Sequence, residues 1–131
     1  MIPSTVRDRL KTALSITGLR VYDTIPDGLV PPAAVIGQLS IDFDLTLVKG
    51  VESGTVDVIV ISGRMSERAA QDYLDNLLQS TGTSSVKTKL EADQTLGGAT
   101  SSVRVVRAEP VSITVSGVEM LAYRFQVAVW G

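Results

Sequence analysis

The sequence predicts an α+β fold: a mostly antiparallel sheet with a long β-hairpin and two helices packed on one face. Three observations carry that expectation. In "QLSIDFDLTLV", Leu39, Ile41, Phe43, Leu45 and Leu47 share one parity, while Ser40, Asp42, Asp44 and Thr46 share the other. In "SERAAQDYLDNLLQSTG" apolar residues recur three and four apart, the helical period. Toward the C-terminus Ser116-Gly117 sits between two β-rich runs, a two-residue hairpin signal.

Taken in order, "TVRDRLKTALSIT" (residues 5–17) puts Val6, Leu10, Ala13 and Leu14 on one helical face, with Ser4 or Thr5 to cap its start and Gly18 to end it. A short strand, "LRVYDT", follows, and then "IPDGLVPP", whose prolines forbid continued helix. From Ala33 the pattern is β. "QLSIDFDLTLV" is a half-buried strand with one apolar and one acidic, wet face; "KGVESG" turns the chain and "TVDVIVISG" brings it back as a more buried strand, so residues 39–62 read as a long antiparallel hairpin. The second helix lines up Ala69, Ala70, Tyr73, Leu74, Leu77 and Leu78, with Ser66 as N-cap and Gly82 as stop. "SSVKTKLEAD" suggests a further helical turn with Val86 and Leu90 inward. Three strands close the chain: "SVRVVRA", "VSITV" and "EMLAYRFQVAVW", the last with Leu121, Tyr123, Phe125, Val127 and Val129 on one face. No repeat, linker or low-complexity segment interrupts this order, so residues 1–131 are expected to form a single domain.

Composition narrows the chemistry. There is no cysteine and no histidine, which excludes thiol nucleophiles, Ser-His-Asp triads and most zinc sites. Basic and acidic residues number 12 and 14 and are spread evenly along the chain, so no basic nucleic-acid surface is expected. The N-terminal residues lack the apolar core of a signal peptide, and no apolar run reaches membrane-spanning length. The expectation is a soluble protein with no catalytic, cofactor or metal site.

Four candidate sites remain to be weighed. The stretch "LEADQTLGGATSSVRVV" offers Glu91, Asp93 and Gly97-Gly98. However, a phosphate loop needs a helix and a Lys-Ser/Thr pair after its glycines, and here a strand pattern follows. The expected role is a turn. Asp42 and Asp44 lie on the same strand face at i,i+2, which suits an acidic wall better than an acid/base pair lacking further partners. Arg104, Arg107 and Arg124 form either a cationic patch or cross-strand pairs with Glu109 or Glu119. The hairpin tip around Lys49, Val51 and Glu52 projects, and Trp130 stands near the chain end; both are candidate contacts to a partner.

The motif order "VRDRLKTAL", "PPAAVIGQLSIDFDLTLVKG", "VDVIVISGRMSERAAQDYLDNLL", "SVKTKLEADQTLGGATSSVRV", "GVEMLAYRFQVAVWG" resembles the tail terminator proteins of long-tailed (siphovirus) bacteriophages, especially those of actinobacteria. The resemblance runs over nearly the whole chain. Its most specific parts are the helix start from Arg64 to Asp75 and "LEADQTLGG", where the family more often has Pro at the position of Gln94. The resemblance implies an α+β virion protein that forms a homohexameric ring at the head-proximal end of the tail tube. Such a ring ends tube polymerisation and offers the surface for head joining. Its implied partners are itself, the tail tube protein and a head-closure or connector protein, with DNA passing through the lumen without specific binding and no membrane involved. Assembly would take place in the host cytoplasm and the mature location would be the virion tail. On this reading Asp42 and Asp44 would line the lumen or face the tube, an acidic wall past which DNA slides. Two alternatives stay open: a head-closure or tail-completion connector at the same junction, and a small carboxylate-dependent enzyme using Asp42, Asp44 or Asp93.

Overall fold

Pro3 starts the first helix. Its fixed φ suits the first helical position and its missing N–H is an orphan there in any case. The helix α1 spans Pro3–Ala13, with Ile2 in the N-cap position and no side-chain cap, so the start lies upstream of the Ser4 or Thr5 expected from the sequence. Val6, Leu10 and Leu14 are fully buried, as the helical spacing requires. The computed structural model describes residues 2–14, 19–22, 32–43, 53–64, 68–79, 85–92, 95–98, 100, 102–115 and 117–130. The expected caps and stops at Ser66, Gly18 and Gly82 lie outside them.

Five strands form one sheet: β1 (Arg20–Tyr22), β2 (Ala33–Asp42), β3 (Ser53–Arg64), β4 (Ser102–Val115) and β5 (Val118–Trp130), ordered β1-β2-β3-β5-β4. Only β1 and β2 run parallel; the other neighbours are antiparallel. The hairpin expected over residues 39–62 is present as β2 and β3, with Asp42 opposite Ser53. The helices α2 (Arg68–Leu77) and α3 (Val86–Glu91) complete the fold, so there are three helices where the fold-class reading counted two. The third is the short turn read from "SSVKTKLEAD". Ser85 caps it by accepting the Thr88 N–H at 3.2 Å, while its own hydroxyl donates to the Gln79 carbonyl.

All three helices bury apolar residues on one face of the sheet, although Ala69, placed on the inward side of the second helix by its spacing, is exposed. Val6, Leu10 and Leu14 of the α1 segment, Leu74 and Leu77 of α2, and Val86 and Leu90 of α3 meet Ala34, Ile36, Val56, Val58, Val60, Val103, Phe125, Val127 and Val129 in a single core. Each such aliphatic side chain contributes about 1.5–3 kcal/mol by leaving water. The two-residue period of β5 is as expected: Phe125, Val127 and Val129 are buried, and Leu121 and Tyr123 pack at the margin.

One expectation is corrected. The segments "SVRVVRA" and "VSITV" are not separate strands but one 14-residue strand, β4, running straight through Glu109-Pro110. Proline is tolerated because β4 is an edge strand, whose outer N–H groups have no ladder to join. Pairing continues through Pro110 opposite Tyr123 without a register shift.

Bulges set which residues face the core. Gly37 and Gln38 both stand against Asp57, so the inward parity on β2 switches from Ala34 and Ile36 to Leu39 and Ile41. Gly37 is required at this point. A Cβ there would sit 2.9 Å from the Asp57 carbonyl oxygen. Arg7 of α1 donates from Nε to the Gly37 carbonyl at 2.9 Å and so ties the helix to the bulge. On β4 the extra residue is Val106, between Val105 (opposite Val127) and Arg107 (opposite Gln126).

Candidate interaction surface

Strand alternation divides the sheet into two faces. The face away from the helices carries Ala33 and Val35 of β2, Ile59 and Ile61 of β3, Val111 and Ile113 of β4, and Met120 and Ala122 of β5. Ala33, Val35, Ile61 and Ala122 are buried, although none belongs to the helix-side core. The other end of this face is mostly polar, apart from Ala128 and Trp130 of β5. Ser40, Asp42, Ser53, Thr55, Asp57, Gln126, Arg124, Arg107 and Arg104 follow from the same alternation. The sequence pattern placed a wet face on residues 39–47, where Ser40 and Asp42 are exposed, and a more buried strand at "TVDVIVISG", where Ile61 is buried, but it did not show an apolar half of the whole face. It missed the apolar half because that half is spread over four strands, and its β4 share lay in a segment read as a separate strand.

Two of the sequence's candidate residues come together at the polar end. Asp42 pairs with Ser53, and Ser53 pairs on its other side with Trp130, so all three lie in one row on the open face. Asp42 is exposed, Trp130 is 36% exposed, and Phe43 beyond the end of β2 is 69% exposed. Phe43 therefore departs from the inward row to which its parity assigned it. The other candidates, Asp44, Lys49, Val51 and Glu52, lie outside the described residues, as does Asp93.

The arginines resolve into ion pairs with one acid. Arg124 stands directly opposite Glu109 and pairs with it, and Arg107 reaches the same carboxylate at 3.3 Å. Arg104, opposite Ala128, is exposed. Along this face the acids Asp42 and Asp57 lie on β2 and β3, while Arg124, Arg107 and Arg104 lie on β5 and β4. From β2 to β4 the balance of charge thus shifts from acidic to basic, with the acid Glu109 standing among the arginines.

The glycine-rich stretch is a turn. A single 3-10 turn spans Leu96–Gly98, with Gly97 at φ 69° and Gly98 at φ 99°, conformations that glycine adopts without a Cβ penalty. The Thr95 carbonyl accepts the N–H groups of Gly98 and Thr100, and β4 then begins at Ser102. The Arg9 guanidinium lies over Gly97, beside a shallow notch of about 160 Å³ lined by Arg9, Thr12, Ala13, Leu96 and Gly97. The acid ahead of the turn has a defined task. Glu91 accepts the Val105 N–H at 2.8 Å and pairs with Lys87 one helical turn back. Partial burial raises its pKa, but the hydrogen bonds from Lys87 and Val105, with the nearby charges of Lys87 and Arg104, outweigh that and leave it below the usual carboxylate value.

Among the described residues no group of three Asp, Glu, His or Cys side chains is placed to hold a metal ion. No helix among them is long and apolar enough to cross a membrane. The chain matches no protein-family model, and no curated protein matches it. What the arrangement offers chemically is surface: an exposed Phe43 beside Asp42, a half-covered Trp130 in the same row, and a 14-residue edge strand carrying Val106 between arginines. Exposed aromatic and aliphatic side chains rimmed by charge are the composition of protein–protein contacts.

Proposed function

We propose that this protein is a tail terminator of a long-tailed bacteriophage: a structural subunit that closes into a six-membered ring on the head-proximal end of the tail tube, stops tube growth and presents the surface to which the head joins. It is not an enzyme on this reading. The resemblance of the motif order supports the family, and the fold has the α+β class that the family implies.

The structural observation that carries the proposal is the long open edge of the sheet. One edge is the three-residue β1 and the other the 14-residue β4. A long open edge is an aggregation hazard unless another chain covers it or the sequence blunts it. A head-to-tail join that covers this edge closes into a ring when its rotation divides the circle. A passive ring subunit also fits a chain without histidine or cysteine.

The test is assembly with tail tube protein. Native mass spectrometry and negative-stain images should find a closed oligomer, alone or on tube ends, and adding the protein to polymerising tube protein should shorten the tubes. A chain that stays monomeric and leaves tube length unchanged overturns the proposal.

A further inference from the structure

The geometry points to the subunit joint itself: the β4 bulge of one copy, Arg104, Val106 and Arg107, docks against the β2 end of the next copy, Asp42 and Phe43. This rests on the ring reading only in requiring that copies associate head to tail.

Two surfaces with matching content lie on opposite sides of the same sheet. The first is the bulge on the edge strand β4. Val106, the inserted residue, is 61% exposed, and it lies between Val105 and Arg107 with Arg104 on the same outer segment. Among large apolar side chains, Ile2, Phe43, Val106 and Trp130 are the exposed ones in the described residues. The second surface is the end of β2, where Phe43 follows an exposed Asp42; Trp130 lies in the same row, between Ser53 of β3 and Ser102 of β4. Each surface is one apolar anchor beside charge: at the β4 bulge Arg104, Arg107 and Arg124 outnumber Glu109, which pairs with the last two, and at the β2 end stands Asp42. They sit three strand spacings apart, about 14 Å, so one copy cannot bring its own two patches together. A second copy can, and each copy then offers one patch of each kind.

The match favours this joint over a two-fold one. A two-fold contact centred on the β4 bulge would set Arg104 and Arg107 against the same residues of the partner, and like charges opposed across an interface are repulsive. It also gives Asp42 a place other than a lumen wall. An aromatic ring as exposed as Phe43 beside that carboxylate suits a protein contact better than a water-filled channel.

Charge-swapped variants test it. Arg107→Glu and Asp42→Lys each put like charges across the joint and should weaken assembly by about tenfold or more. Both positions are exposed, and circular dichroism melts establish that each variant is folded. The decisive sample is a one-to-one mixture of the two. In a head-to-tail ring that alternates them, opposite charges face each other at every joint. Half the joints set the substituted position 107 against the substituted position 42, and the other half keep the native Arg107 against the native Asp42, so assembly returns. Phe43→Ser and Val106→Ser should each weaken assembly without rescue on mixing. Folded charge variants that assemble as the native chain does would overturn the joint while leaving the ring reading in place. Variants that fail alone and in mixture would also overturn it. A native chain that never associates, on tubes or alone, would overturn both readings.

Discussion

The carboxylate of Glu91, in the last turn of α3, accepts the backbone N–H of Val105 on β4 at 2.8 Å. This bond crosses from the helix layer to the edge strand at the residue just before the β4 bulge. It satisfies a donor that the edge position and the bulge leave without a neighbouring strand, and it fixes where α3 lies. The segment "LEADQTLGG" is thus a strap and a turn: Glu91 fastens the helix, and Gly97-Gly98 reverse the chain into β4.

Glu91→Ala should destabilise the fold by about 1–2 kcal/mol, because it removes a charged acceptor and strands a backbone donor. Glu91→Gln keeps an acceptor and should lose less. Urea unfolding at neutral pH measures both.

The pH dependence follows from the direction of the Glu91 shift. Its folded pKa lies below the 4.5 of an unperturbed glutamate, so the folded state holds the ionised form more firmly than the unfolded chain does. The stabilisation is fully present above that unfolded value and is lost as pH falls through the folded one. The stability gap between the native chain and Glu91→Gln should therefore be constant from neutral pH down to about 5 and close below 4.5. A gap that widens on acidification would contradict the assignment.

The Arg124–Glu109 pair is cross-strand and largely exposed, with Arg107 sharing the acid. A double-mutant cycle with Arg124→Ala and Glu109→Ala should give a coupling below about 1 kcal/mol. The coupling should shrink further at about 1 M salt, where the screening length falls to roughly 3 Å.

Much of this architecture was legible because it rests on short-range periodicity. Val6, Leu10 and Leu14, Leu74 and Leu77, and Phe125, Val127 and Val129 announce their faces by spacing alone, and the structure buries them. What stayed hidden depends on register between distant segments. Pro110 looks like a strand end until β4 is known to be an edge, and nothing local to Pro110 says so. Phe43 shares parity with Leu39 and Ile41 but lies past the last paired residue of β2, so alternation misplaced it. The one-row placement of Asp42 and Trp130 needs two registers at once. The clamp from Glu91 to Val105 spans 14 residues and had no signal beyond an acid near a helix end.

Gly37 and Gly98 should respond differently to alanine. At Gly37 a Cβ meets the Asp57 backbone oxygen at 2.9 Å, inside a bulge that Arg7 holds through its carbonyl, so backbone must shift. Gly37→Ala should cost about 1–3 kcal/mol, in the range of core overpacking. At Gly98 nothing lies within 4 Å, and only the positive φ of 99° resists. Gly98→Ala should cost about 1–2 kcal/mol through that conformation alone. Gly98→Asn, which tolerates left-handed backbone, should recover part of that loss, whereas Gly37→Asn should be no better than Gly37→Ala. Urea unfolding of the four variants distinguishes the two causes.

Leu10 and Trp130 separate folding from assembly. Leu10 is fully buried beneath α1, and truncating it leaves a cavity that the surrounding valines and leucines cannot fill. Leu10→Ala should cost about 2–5 kcal/mol and reduce every downstream activity through loss of folded protein. Trp130 is 36% exposed at the end of β5, where Ser53 and Ser102 flank it on the neighbouring strands. Trp130→Ala should lower the unfolding midpoint of the monomer less than Leu10→Ala does, since about a third of the residue's surface is already in water. If Trp130 anchors a neighbour, the same change should weaken oligomer formation by about 2 kcal/mol or more, the range of interface anchors. Urea denaturation at low protein concentration and sedimentation velocity over a concentration series measure the two effects separately. A Trp130→Ala chain with a much lower unfolding midpoint and unaltered association would make the tryptophan part of the core.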